Sequence, residues 1–180
     1  MTKISLLNRL ITDVENLALI VENEFKGLDT NDLNRKKSVD TWSALECFDH
    51  LNRYSAYYNK AIQRAIVAAK KTNEDSTFTN GWFGKLSINM MSPTNPKKQK
   101  TIARMNPAGS ILGESVLTDF LAHQRELLNL LEQAKGVNIN QRKVPVEFMN
   151  WMKMKIGDAL TFVVVHQQRH LQQAQRAINN

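Results

Sequence analysis

The sequence lacks the features that mark several familiar protein classes. It has one cysteine, Cys47, in 180 residues, so no intrachain disulfide can form. It has no long apolar run: stretches such as Phe162 to Val165 fall far short of the ~20 residues that span a bilayer. The first twenty residues are interrupted by Asn8, Arg9, Asp13, Glu15 and Asn16, so no signal-peptide core is present. There is no Ser-His-Asp set, phosphate-binding glycine loop, dinucleotide fingerprint, zinc-finger spacing or RNP-type motif. These absences set aside several enzyme classes and predict a soluble cytoplasmic protein with no membrane partner.

Acidic residues are also in the minority, 17 against 24 lysines and arginines, for a formal charge of +7. Much of the excess is local. Lys97, Lys98, Lys100 and Arg104 share one proline-rich stretch, and Arg142, Lys143, Lys153 and Lys155 share another. A solvated basic surface explains them, and no nucleic-acid partner is expected. The hydrophobic fraction of 42% supplies a core, and the charged fraction of 23% is ordinary, so disorder is not expected. The length suits one domain over residues 1–180.

Apolar spacing predicts four long helices. The first runs from Thr2 to Leu28, with Leu7, Leu10, Ile11, Val14, Leu17, Val21 and Phe25 on one face and Gly27 at its end. Polar residues Asp29 to Asp40 read as a loop. The second starts at Trp42–Ser43 and continues to Lys70, and Ser43 followed by Glu46 has the form of a capping box. The third spans Glu114 to Ala134, and the fourth spans Ile156 to Ile178 after a connector carrying Pro145 and Trp151. Between the second and third the pattern fails from Lys71 to Gly113. Within that stretch Trp82, Phe83, Leu86 and Met90 keep helical spacing and predict a short amphipathic helix. Strands are not expected in quantity. The fold class is all-α: a four-helix bundle with a long insertion at 71–113.

The fourth helix carries an anomaly. Ile156, Leu160, Val163, Ala174 and Ala177 share its inward stripe, and the slots between Val163 and Ala174 are filled by His166 and His170. An unpaired imidazole is costly in a core, so each ring needs a partner. At i and i+4 two rings can close on one ion. His50, in the first third of the second helix, is the natural third ligand. Three histidines leave coordination positions open for water or substrate, which is the catalytic pattern. Surface imidazoles, or imidazoles satisfied by neighbouring side chains, also occur at this spacing.

At this point the sequence resembles the DinB/YfiT-like superfamily of metal-binding bundles. The match is carried by Trp42-Ser43-Ala44-Leu45-Glu46 with His50-Leu51 just after, and by His166-Gln167-Gln168-Arg169-His170-Leu171-Gln172-Gln173. The resemblance implies an up-down-down-up four-helix bundle, frequently a homodimer. It also implies a divalent transition metal, zinc or nickel, held by His50, His166 and His170. Members with known activity look like thiol S-transferases or isomerases that use bacillithiol, mycothiol or a related low-molecular-weight thiol, and others resemble metal-dependent hydrolases. The 71–113 insertion is longer and more basic than in compact members.

Other residues have two readings each. Glu46, one turn before His50, is a candidate catalytic carboxylate, or simply the capping-box partner of Ser43. Cys47 is a candidate ligand or nucleophile, with a buried core thiol the plainer reading. His123 is a candidate fourth ligand or proton shuttle, with a hydrogen-bonded boundary histidine the plainer one. Arg169 points away from the histidine pair and predicts a salt bridge or subunit contact. Tyr54 and Tyr57 can line a pocket beside His50, and Trp42, Trp82 and Trp151 read as packing residues.

The expected activity is metal-dependent transfer of a low-molecular-weight thiol to a small electrophilic substrate. Hydrolysis at the same centre, and a non-catalytic metal-binding or dimerising bundle, are the alternatives. A fourth closing ligand would favour the last of these.

Overall fold

The first long helix, α1 (Lys3–Glu24), begins where the Thr2 side chain accepts a hydrogen bond from the Ser5 amide at 3.2 Å. Such a cap is worth about 1 kcal/mol. Leu6, Leu7, Leu10, Val14, Leu17 and Val21 form its buried stripe, and Phe25 closes it. Gly27, at φ 97°, turns the chain away. The computed structural model describes residues 1–97 and 99–179, so Lys98 of the first basic stretch lies outside the described residues, as does the side chain of Arg142.

The expected loop at 29–40 contains a short helix, α2 (Thr30–Asn34). Asp29 caps it by accepting from the Asn31 amide at 2.7 Å, and Leu33 anchors it in the core. One turn of helix with a single apolar contact leaves too short a period to be read from sequence.

The long α3 (Ala44–Val67) starts with the full capping box. Ser43 Oγ accepts from the Glu46 amide at 3.1 Å, and the Glu46 carboxylate accepts from the Ser43 amide at 2.9 Å. Beyond it, α4 (Trp82–Met91) forms in the insertion as its spacing predicts. The four residues that carry the spacing do not share one environment, however. Trp82 is 67% exposed, and Leu86 and Met90 are exposed with it, while Phe83, Ile88 and Met91 pack inward. Trp151 is 78% exposed as well, so neither Trp82 nor Trp151 is a packing residue. The orientation of α4 follows from Gly84: a Cβ there would lie 2.2 Å from Asp158 Cγ, so this glycine side is the one that can approach α6. Asp158 completes the seam by accepting from the Gly81 amide at 3.0 Å and from Asn80 at 2.8 Å.

After α5 (Ser115–Ala134) the connector folds as an antiparallel hairpin, β1 (Arg142–Val146) and β2 (Met149–Lys155), which was not expected. Val144, Val146 and Met154 point into the core at period two. Pro145 and the flanking lysines obscure that alternation in the sequence. The last helix, α6 (Ile156–Ile178), follows β2 directly.

Among the described residues the chain is thus mostly helical with one two-stranded sheet. Helix α3 packs against α5 and α6, α1 packs against the same two, α4 lies on α6, and β1 lies on α3. One apolar cluster draws on all four long helices. Lys3 is wholly buried, and its ammonium donates to the carbonyls of Lys135 (2.7 Å) and Thr72 (3.2 Å), at the negative end of α5. Among the described residues no helix is long and apolar enough to cross a membrane.

Candidate metal centre

The α3–α6 contact brings His50, His166 and His170 together. One ring nitrogen from each lies within 4.8 Å of the others. His50 Nε2 is 3.3 Å from His166 Nε2, and the ring of His170 is 4.6 Å from that of His50 and 4.7 Å from that of His166. His50 and His166 are buried and His170 is half-buried. The inward stripe of α6 therefore continues through two imidazoles, as its spacing predicts.

Second partners orient two of the rings. His50 Nδ1 lies 2.7 Å from the Met105 carbonyl oxygen. A carbonyl only accepts, so the proton sits on Nδ1 and leaves Nε2 with its lone pair. His170 Nδ1 pairs in the same way with Gln173 Oε1 at 3.0 Å. A partner on the far nitrogen is what metal-ligating histidines ordinarily have.

Burial pushes all three imidazoles toward the neutral form. It lowers His50 to about 4, against the opposing pull of the Met105 carbonyl. It lowers His170 to about 3, with the neighbouring His50 adding to the effect. His166 falls well below the usual range through burial first, then through His170 and His50. Neutral imidazoles with inward lone pairs are the ligand form a metal needs. Two nitrogens at 3.3 Å are satisfied by a proton between them or by a shared cation. The three-nitrogen set therefore fits a divalent transition metal.

Aromatic rings wall the site. Trp42 stacks on His170 at 5.6 Å and tilts over His50 at 4.8 Å. Tyr54 contacts His50 at 4.8 Å and His166 at 4.7 Å, and Phe162 stacks on His166 at 5.7 Å. Tyr57 lies farther along α3, with its hydroxyl 3.5 Å from the Pro145 carbonyl. Burial raises Tyr54 to about 12, with the Glu147 carboxylate adding to the shift, so the phenol keeps its proton at neutral pH.

The insertion covers this corner of the fold. Besides the Met105 carbonyl on His50, the Arg53 guanidinium, braced by Asp49 at 2.7 Å, donates to the carbonyls of Arg104 and Asn106. Arg169 donates to the carbonyls of Ser92 (2.9 Å), Asn95 (2.8 Å) and Lys97 (2.7 Å). In place of the expected salt bridge, Arg169 anchors the chain's own insertion. Its position between two inward histidines puts it on the flank of α6 where that segment runs.

Glu46 is fully buried, and both of its oxygens are engaged. One accepts from the Ser43 amide at 2.9 Å, the other from Lys36 Nζ at 2.5 Å and the Gly109 amide at 2.8 Å. Cys47 is a buried core thiol, pushed up by burial and then by Glu46, and it stands outside the histidine group. His123 is also outside it, paired with Glu126 at 3.1 Å as the boundary reading expects.

Sequence reading missed the Met105 carbonyl, for which no side-chain signal exists, and Glu147. Glu147 is buried in the hairpin turn and paired with Arg104, and its amide lies 3.4 Å from the Tyr58 hydroxyl. It is the one acidic residue between Gly136 and Gly157, which is the signal that could have drawn notice.

A family model for the DinB superfamily matches residues 20–174. No curated protein and no solved structure matches the chain.

Proposed function

The chain belongs to the DinB superfamily, and from that premise we propose that it is an enzyme whose His50, His166 and His170 hold a divalent transition metal, zinc or nickel. Its reaction is the transfer of a low-molecular-weight thiol to a small electrophilic substrate. The observation that carries the reading is the convergence of three neutral imidazole nitrogens within 4.8 Å, with no fourth His, Cys, Asp or Glu joining them among the described residues. A set of three leaves room for a substrate atom, whereas four closed ligands would suit a structural strut.

When bound, such a metal supplies Lewis acidity that lowers the pKa of a thiol or water at its open positions. The residues of the chain do the rest. Trp42, Tyr54 and Phe162 keep bulk water from the imidazoles, and the Met105 carbonyl and Gln173 hold two rings in the ligating tautomer. The Tyr54 phenol stays protonated and offers a hydrogen bond at the edge of the site. The thiol gives up its S–H proton to solvent, its sulfur forms the C–S bond, and the leaving group departs with its electron pair. Glu46 enters as a positioning carboxylate that ties Ser43, Lys36 and Gly109 together beside the site, and its role as a base is the competing assignment.

The proposal includes an up-down-down-up arrangement of the four long helices in one domain, with 71–113 as an insertion. It also includes a homodimer and a cytoplasmic location. Incubating the metal-loaded protein with a thiol and an aryl or alkyl electrophile tests the chemistry. Thiol-dependent loss of the electrophile, absent in His166→Ala, is expected. Electrophile loss independent of thiol would assign hydrolysis instead, and no turnover with any nucleophile would leave a metal-binding module.

A further inference from the structure

A second feature lies on the same face of α3 as His50. His50, Tyr54, Tyr57, Ala61, Arg64 and Ala68 follow one another at steps of four and three, so they form one stripe along the helix. At 1.5 Å per residue, Tyr57 stands about 10 Å and Arg64 about 21 Å along the axis from His50. From Tyr57 onward residues of this stripe line a groove of about 570 Å³ between α3 and the hairpin.

The groove has apolar small residues at its base and cations on both walls. Ala61 and Ala65 form the base, Lys60 and Arg64 line the α3 wall, and Lys143 and Lys153 line the hairpin wall. No acidic side chain lines it. Arg64, Lys143 and Lys153 make no ion pair among the described residues, and Lys60 lies within electrostatic range of Glu126. Pro145 pairs with Lys153 across the strands, so the hairpin register itself sets a cation at the groove's rim. Like charges on facing walls repel one another, and an anion between them removes that cost. A concave site lined by one sign of charge also concentrates counter-ions from solution.

We infer that this groove is a binding site for a small molecule carrying two or more negative charges, as carboxylate or phosphate. The binding does not depend on the three-histidine reading. The size of the groove suits a small molecule with a few charged groups, and its alanine base accepts a short apolar portion between them. The hairpin, absent from the sequence-level expectation, is what supplies the second wall.

Calorimetric titration of the full chain at low salt tests the inference, with citrate as the carboxylate probe and inorganic pyrophosphate as the phosphate probe. At least one is expected to bind with a millimolar or tighter dissociation constant that weakens as salt rises. The charge-removing pair Arg64→Gln with Lys153→Gln, both exposed positions, is expected to weaken it tenfold or more while leaving the melting temperature unchanged. Which probe binds better names the chemical source of the charge. His166→Ala is expected to keep anion binding, so failure of the metal reading would show as absent metal with the groove intact. No binding of either probe, or binding that the double substitution leaves untouched, would overturn the proposal. Duplex DNA or phosphatidylglycerol vesicles that bind through Arg64 and Lys153 and are not displaced by citrate or pyrophosphate would also overturn it, and would give the groove to a macromolecular surface.

Discussion

His50 Nδ1 and the Met105 carbonyl oxygen are 2.7 Å apart, and this bond ties the 71–113 insertion to the imidazole cluster. The segment that departs most from the helical pattern is thus built into the site. Arg53, Arg169 and Glu46 fasten it at three further points, each from a position within four residues of a candidate ligand.

Arg169 is the clearest test of that fastening. Replacing it with Gln removes a guanidinium that serves three carbonyls, with hydrogen bonds to a charged group worth about 1.5–3 kcal/mol in stability. Arg169→Gln is expected to lose about 2 kcal/mol in denaturant unfolding, within that range. Amide exchange should accelerate at 92–97 and change little in α5. An unchanged exchange pattern would show that the insertion is held by other contacts.

Glu46 separates positioning from base catalysis. Glu46→Ala removes the carboxylate half of the capping box and the acceptor for Lys36 and Gly109, while the Ser43 hydroxyl keeps its bond from the residue-46 amide, and is expected to cost about 2–3 kcal/mol, chiefly from the broken buried pair. Glu46→Gln keeps one carbonyl acceptor and should lose less. A positioning residue predicts that activity follows stability across the two variants. A general base predicts that Gln, though stable, is as inactive as Ala.

Acid is expected to unfold the metal-free protein through the three histidines. Their folded pKa values lie below the ordinary 6.5, near 4 for His50 and near 3 for His170, and His166 is also well below. The unfolded chain therefore binds protons first as pH falls. Stability is full above about 6.5 and drops below it until the folded values are reached, by up to about 1.4 kcal/mol per pH unit for each histidine. Unfolding free energies measured from pH 7.5 to 4.5 check this. Replacing His166 with Ala should flatten the slope, and a slope unaffected by that change would contradict the assignment.

Much of the site was legible in the sequence because it obeys helical spacing. His166 and His170 occupy inward slots of an otherwise apolar stripe, and Ser43 with Glu46 marks the start of the helix that carries His50. What was illegible depends on backbone or on competition between faces. The Met105 carbonyl has no side-chain signature. In α4, Trp82, Phe83, Leu86 and Met90 keep helical spacing, yet only Phe83 of them packs inward, because Gly84 is the residue that clears Asp158. In the hairpin, Val144, Val146 and Met154 face the core, but Pro145 and the flanking lysines read as a loop. The basic residues Lys143 and Lys153 gain meaning only once the hairpin lays them along α3.

Elemental analysis of the untagged protein beside its His166→Ala variant tests the central claim most directly. The account predicts about one equivalent of zinc or nickel per chain in the wild type and its loss in the variant, with both proteins folded by circular dichroism. A folded wild type that carries no metal, and takes up none from added zinc, nickel, iron or copper, would contradict it.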